Sequence, residues 1–213
     1  MAPSDLDAVV EWHLEAFPSG FYAQLGVRFM RAWFAAHVAA PASISLVAYA
    51  GDGAVVGYLL GTLDDADYRD RSAGDGARLL ARGTAAFVAR PGLWGEFARV
   101  RARPYAGRAA RRILGRGAAT RRGAGDGELV YICVEADHRR RGAGAALLEA
   151  FTGEAIRSGT TRLHLVTELD NTGAQRFYSH HGWHVMADTA HALDGRTLVR
   201  MQRHLRTEAA CAA

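Results

Sequence analysis

The sequence predicts a mixed α/β fold, and three observations carry that expectation. Apolar residues at helical spacing fill most of the first forty positions. Two strand-like runs then meet across a Gly-Asp-Gly turn, a strong hairpin signal. From residue 128 onward strand-like and helix-like segments alternate, which calls for a parallel strand pair wherever a helix crosses over. A chain of 213 residues, 49% hydrophobic, can bury a core as one domain spanning 1–213, with 64–126 as an insertion.

Taken in order, Ser4 with Asp7 reads as a helix cap ahead of "LDAVVEWHLEAF", which keeps helical apolar spacing until Pro18. "GFYAQLGVRFMRAWFAAHV" reads as a second amphipathic helix ending before Pro41. "SISLVAYA" and "AVVGYLLGTL" are the hairpin strands around Gly51-Asp52-Gly53. Residues 64–126 change character, with short helical segments broken by Gly and Pro and a Gly/Arg-rich end. "ELVYICVE" is an apolar strand suited to a sheet interior, and a helix follows to about Ser158, closed by Gly159. "TRLHLVTE" is the next strand, "NTGAQRFYSHH" a short helix closed by Gly182, and "WHVMADTAH" with "TLVRMQRHL" a final hairpin across Asp194-Gly195.

The net charge of +4 is local in origin. Residues 99–123 hold nine arginines and no acid, so the rest of the chain is about −5. That sign is wrong for a globally basic nucleic-acid binder, which argues against nucleic acid as a partner. All 26 cationic side chains are arginine, as in a GC-biased coding sequence, so arginine by itself is weak evidence. No apolar run reaches membrane-span length, the start lacks a signal-peptide layout, and two cysteines are too few for a disulfide framework. A soluble cytoplasmic protein is expected. The histidines at 13, 37, 164, 180, 181, 184, 191 and 204 show no tight metal-ligand spacing, so no metal is expected.

The segment "DHRRRGAGAALLEAF" places a glycine-punctuated turn between the buried strand and the helix. Such a turn offers unpaired backbone N–H groups and the positive end of a helix, a ready anion site. Gly142 and Gly144 remove Cβ atoms that would keep a phosphate from the backbone, and the arginines add charged donors. No GK[ST] follows and the six-residue GxGxxG pattern is absent, which disfavours a P-loop or a nicotinamide fold.

Arg139-Arg140-Arg141-Gly142-Ala143-Gly144 matches the [RQ]-x-x-G-x-[GA] motif, and "NTGAQRFYSHHGW" matches N-x-x-A-x-x-[FL]-Y-x-x-x-G-[FW]. With both motifs in order, the chain resembles the GNAT superfamily of N-acetyltransferases, closely over about 128–186 and more loosely over the first two helices and hairpin. The resemblance implies a mostly antiparallel sheet, splayed at the cofactor site and flanked by helices; the helical insertion 64–126 departs from it, as a connection much longer than the minimal fold needs. It implies acetyl-CoA, or another acyl-CoA, as co-substrate. The diphosphate would sit on Arg139, Arg140, Arg141, Gly142, Ala143 and Gly144, and the pantetheine arm on the main chain of Ile132, Cys133 and Val134. Cys133 is then a small buried residue rather than a nucleophile. Asn171 would cap its helix or touch the cofactor arm. Members of the family usually open on a strand before the first helix; here that strand is expected to be absent or to lie upstream of Met1.

The chemistry needs a base. An alkylammonium with pKa near 10.4 must lose a proton, at a free-energy cost of about 4–5 kcal/mol at pH 7. Glu128 lies eleven residues before Arg139, the spacing of catalytic glutamates in histone-acetylating relatives, and is either that base or a solvated strand-end residue. Tyr178 matches the family tyrosine that donates a proton to the departing thiolate. Phe17, Phe21 and Tyr22 suit an aromatic lip at the acceptor entrance, and Glu168 with Asp170 could attract an ammonium group. The expected acceptor is a primary amine on a small molecule such as an amino sugar, amino acid or secondary metabolite. Alternatives are an acyl carrier protein docked on 99–123, a protein or peptide acceptor, and more distantly a nucleic-acid-binding module. A homodimer is compatible with the family.

Overall fold

The computed structural model describes residues 1–18, 23–64, 68, 125–191 and 197–205. Two helices come first, α1 over Leu6–Ala16 and α2 over Val27–Val38. Strands β1 (Ser43–Tyr49), β2 (Val55–Thr62) and β3 (Asp126–Val134) follow, then helix α3 (Ala143–Arg157). Strand β4 (Arg162–Glu168), helix α4 (Thr172–His180), and strands β5 (His184–His191) and β6 (Thr197–His204) complete the order. The strands form one sheet in the order β1-β2-β3-β4-β6-β5. Among the described strands only β3 and β4 run parallel, because α3 carries the chain across; every other described pair is antiparallel.

Strand alternation sorts side chains onto two cores. Leu59, Leu129, Leu163, Leu165 and Met201 face α3, where Leu147, Leu148, Phe151 and Ala155 bury one stripe. Tyr58 and Leu60, one residue out of phase with Leu59, face α1 and α2 and meet Val9, Val10, Met30 and Phe34. Burial of a Leu or Phe side chain contributes roughly 1.5–3 kcal/mol, so each stripe holds its helix firmly to the sheet. Gly159 and Gly182, both with positive φ, end α3 and α4 as expected.

Four local expectations are corrected. Ser4 does not pair with Asp7 as a cap; residues Pro3–Asp5 form a 3-10 turn, and the Asp5 carboxylate accepts from Ala2 N–H at 2.6 Å. The second helix begins at Val27, because Gly26 at φ 90 separates it from a 3-10 turn over Ala23–Leu25. Strand β3 starts two residues early, at Asp126, since Arg162 gives that buried carboxylate a partner on the neighbouring strand. Finally, β6 inserts between β4 and β5, so the two strands flanking α4 are not neighbours. The helices expected within 64–126 and the turn at Asp194-Gly195 lie outside the described residues.

Candidate active site

Two irregularities in β3 shape the site. Leu60 opposes Tyr131 and Gly61 opposes Leu129, leaving Val130 as an extra residue on the β3 side of the pairing. Val130 and Tyr131 therefore both pack toward α1 and α2, whereas Leu129 and Ile132 pack toward α3. On its other edge β3 pairs with β4 only through Asp126, Gly127 and Glu128. Beyond Glu128 the two strands part, while β4 stays paired with β6 as far as Glu168. The β3 edge from Leu129 to Val134 thus borders an opening in the sheet. Ile132, Cys133 and Val134 lie on that stretch, partly buried. Burial pushes the Cys133 thiol up, so it is a neutral thiol at pH 7 and a poor nucleophile.

The loop at the far end of β3 leads into α3. Arg139 turns back to the strand, its Nε donating to Val134 O at 2.9 Å. Arg140, at φ 61, and Gly142, at φ 92, hold left-handed conformations around Arg141. Among the described residues no side chain caps α3, whose first i→i+4 bond runs from Ala146 N–H to Gly142 O. The amides of the first turn are left facing outward with the helix dipole behind them. Gly144 sits on the inner wall of this turn: a Cβ there would stand 3.5 Å from Phe177 on α4 and 3.6 Å from Val134. The donor set and the open backbone fit an oxyanion such as a diphosphate.

Glu128 and Tyr178 fall on different parts of the site. Glu128 is half-buried on β3, opposite Thr62 on β2 and His164 on β4. Six residues of strand, about 20 Å at ~3.3 Å each, separate it from Val134 beside the loop. Tyr178 is buried on α4, 6.0 Å from Trp183 between ring centroids, and desolvation holds its hydroxyl well above the usual range. Asn171 caps α4, its Oδ1 accepting from Ala174 N–H at 3.1 Å. The structure thus shows the capping half of the expectation for Asn171.

On the α1–α2 face, Phe17 joins a cluster that sequence reading missed. His13 on α1 lies 5.1 Å from Phe17 and 4.8 Å from Tyr131 between ring centroids, with Tyr131 and Phe17 at 5.6 Å. The available signal was the helical spacing of Val9, Val10, His13 and Phe17, which puts His13 on the buried stripe. Phe21 and Tyr22 lie outside the described residues. Glu168 ends β4, and its carbonyl accepts from Gln175 Nε2 at 3.1 Å. Among the described residues no group of three His, Cys, Asp or Glu side chains could hold a metal, and no helix is long and apolar enough to cross a membrane.

Residues 86–183 match the family model described as the Acetyltransferase (GNAT) family. Ribosomal-protein-alanine N-acetyltransferase from Brucella melitensis superposes with a TM-score of 0.59 at 16% identity, over 96% of this chain and 97% of that one. A GNAT-family acetyltransferase from Streptococcus pneumoniae gives 0.58 at 16% identity, over 97% and 96%. Ard1 from Thermoplasma volcanium gives 0.54 at 16% identity, over 97% and 95%. At such identities the likeness is one of fold. Comparison with curated protein sequences gives no match. The matched stretch contains both signature motifs, and the described fold is similar to that of GNAT acetyltransferases.

Proposed function

We propose that the chain transfers an acetyl group from acetyl-CoA to the primary amine of a small molecule by direct attack. The observation that carries this reading is the uncapped start of α3, with its left-handed Arg140 and Gly142, placed beside the β3 edge that parts from β4. When bound, acetyl-CoA supplies an activated acyl group as a thioester. The first-turn amides of α3, with Arg139, Arg140 and Arg141, hold the diphosphate. The main chain of Ile132, Cys133 and Val134 pairs with the pantetheine amides that would otherwise be desolvated without partners.

Glu128 accepts the proton that the acceptor ammonium must lose. Tyr178 keeps its own proton throughout the working pH range and donates it, as a hydrogen bond or outright, to the departing sulfur. Cys133 forms no acyl-enzyme, because burial keeps its thiol protonated. Phe17 and Tyr131, at the α1–α2 face, border the acceptor's path. A role in small-metabolite modification follows from the same reading.

Mass spectrometry of the purified protein under native conditions, followed by a thiol-release assay with acetyl-CoA, tests it. Co-purified CoA or acetyl-CoA, and turnover with small amines ahead of peptides with free N-termini, is the expected outcome. Turnover confined to peptides would replace the small-molecule acceptor with a protein one, and no binding of any acyl-CoA would end the proposal.

A further inference from the structure

The strand registers set a second titratable side chain beside Glu128. Thr62, Glu128, His164, Gln202 and His184 are successive partners across β2, β3, β4, β6 and β5. Register partners share a sheet face, and Leu60, two residues before Thr62, packs against α1 and α2. The row therefore lies on the α1–α2 face, opposite Leu163 and Leu165, which pack toward α3. Glu128 and His164 are also the last pair before β3 and β4 separate, so they stand at the closed end of the opening.

His164 is buried, with 4% of its surface exposed, and its Nε2 lies 3.7 Å from Asp126 Oδ2. Asp126 is itself buried and accepts two bonds from Arg162, Nε at 2.9 Å and Nη2 at 2.8 Å. Two residues apart on one strand, Asp126 and Glu128 share a face, so the imidazole has a carboxylate neighbour at each of two successive same-face positions. Strand register also places Arg162 on its own strand, and Arg200 and His204 on β6, on this face, the last two flanking Gln202. An apolar side chain would fill this place in the sheet at lower desolvation cost than an imidazole.

We propose that His164 is a positioning residue for the Glu128 base, with Asp126 steadying the imidazole. This rests on the reading of Glu128 given above. In the reaction the acceptor ammonium gives one proton to the Glu128 carboxylate. The freed amine forms the N–C bond, the C–S bond breaks with its electron pair on sulfur, Tyr178 gives its proton to that sulfur, and the second proton shed by the nitrogen replaces it on Tyr178. The imidazole favours the ionised carboxylate before that transfer and shares the proton after it.

The test is the pH profile of kcat for wild type, His164→Gln, His164→Asn and Glu128→Gln, with CoA affinity and thermal melting as controls. Loss of the imidazole should lower kcat by at least about tenfold and move the acid limb to higher pH by about one unit, with CoA affinity retained. Gln and Asn place an amide near one or the other ring nitrogen, so one of them should recover part of kcat without restoring the limb. A uniform drop in kcat with the limb unmoved, or no drop, in both folded variants would overturn the inference. Should both fail to melt cooperatively, His164 is a packing residue and the inference also falls. Wild-type turnover in Glu128→Gln would instead remove the reading of Glu128 itself.

Discussion

His13 on α1 and Tyr58 on β2 meet through a 2.7 Å hydrogen bond between the imidazole Nδ1 and the phenol oxygen, inside the α1–α2 core. Phe34 and Tyr131 stand edge-on to the same imidazole. Burial lowers the His13 pKa to about 4 and holds Tyr58 well above its usual range, so both are neutral near pH 7.

Acid should therefore destabilise the fold through its buried histidines. The unfolded imidazole takes up a proton near pH 6.5, whereas His13 and His37 in the fold do so only at about 4. Stability present above pH 6.5 is lost as pH falls toward 4, by up to roughly 3 kcal/mol per histidine. Urea midpoints at pH 7.5 and 4.5 measure this. His13→Gln should make the decline clearly shallower, and an unchanged decline would show that His13 titrates normally.

Close approach of α3 to the sheet predicts a second effect. A Cβ at Gly61 would clash with Phe151 Cε2 and lie 2.8 Å from its Cζ. Gly61→Ala should cost about 1–3 kcal/mol through overpacking. In the Gly61→Ala/Phe151→Leu double variant the loss should be smaller than the sum of the single losses, because the smaller side chain vacates the contested space. Additive losses in urea denaturation would place the strain elsewhere.

The cofactor loop separates binding from stability. A Cβ at Gly142 meets nothing within 4 Å, so Gly142→Ala suffers only from its φ of 92, about 1 kcal/mol. Flattening that turn re-aims the amides, and the Kd for CoA by calorimetry should rise about tenfold, roughly 1.4 kcal/mol. Equal affinity in the variant would detach this turn from the diphosphate.

Tyr178→Phe should lower kcat about tenfold and leave the Kd for CoA nearly unchanged, since a thiolate of pKa near 8.5 leaves fairly well unaided. Because burial keeps the hydroxyl protonated, wild type should show no alkaline limb from this residue. A variant with altered CoA affinity and normal kcat would make Tyr178 a packing residue.

Helix caps give a simpler contrast. Asn171→Ala removes the bond to Ala174 N–H and should cost about 1 kcal/mol of stability. A fall in CoA affinity without any loss in melting temperature would assign the side chain to the cofactor arm instead.

What could be read in the sequence was what local chemistry dictates. Apolar periods located the six described strands and the four described helices, and Gly159 and Gly182 marked two helix ends by their need for positive φ. The glycine–arginine loop stood out because its backbone demands are written in residue type. Long-range partnership was hidden. Nothing local shows that Arg162 finds Asp126, so the start of β3 at Asp126 is not legible in the sequence. His13 and His164 looked like scattered histidines because their burial depends on strand register and on which face a helix covers. The place of β6 between β4 and β5 is likewise a choice among pairings that the chain's local pattern leaves open.

A crystal structure of the protein with CoA tests the central proposal most directly. The diphosphate should lie within hydrogen-bond distance of the main-chain amides at 142–144, with the sulfur end directed along β3 toward Glu128. Well-ordered CoA bound away from that turn, or with its sulfur facing outward from the gap between β3 and β4, would contradict it.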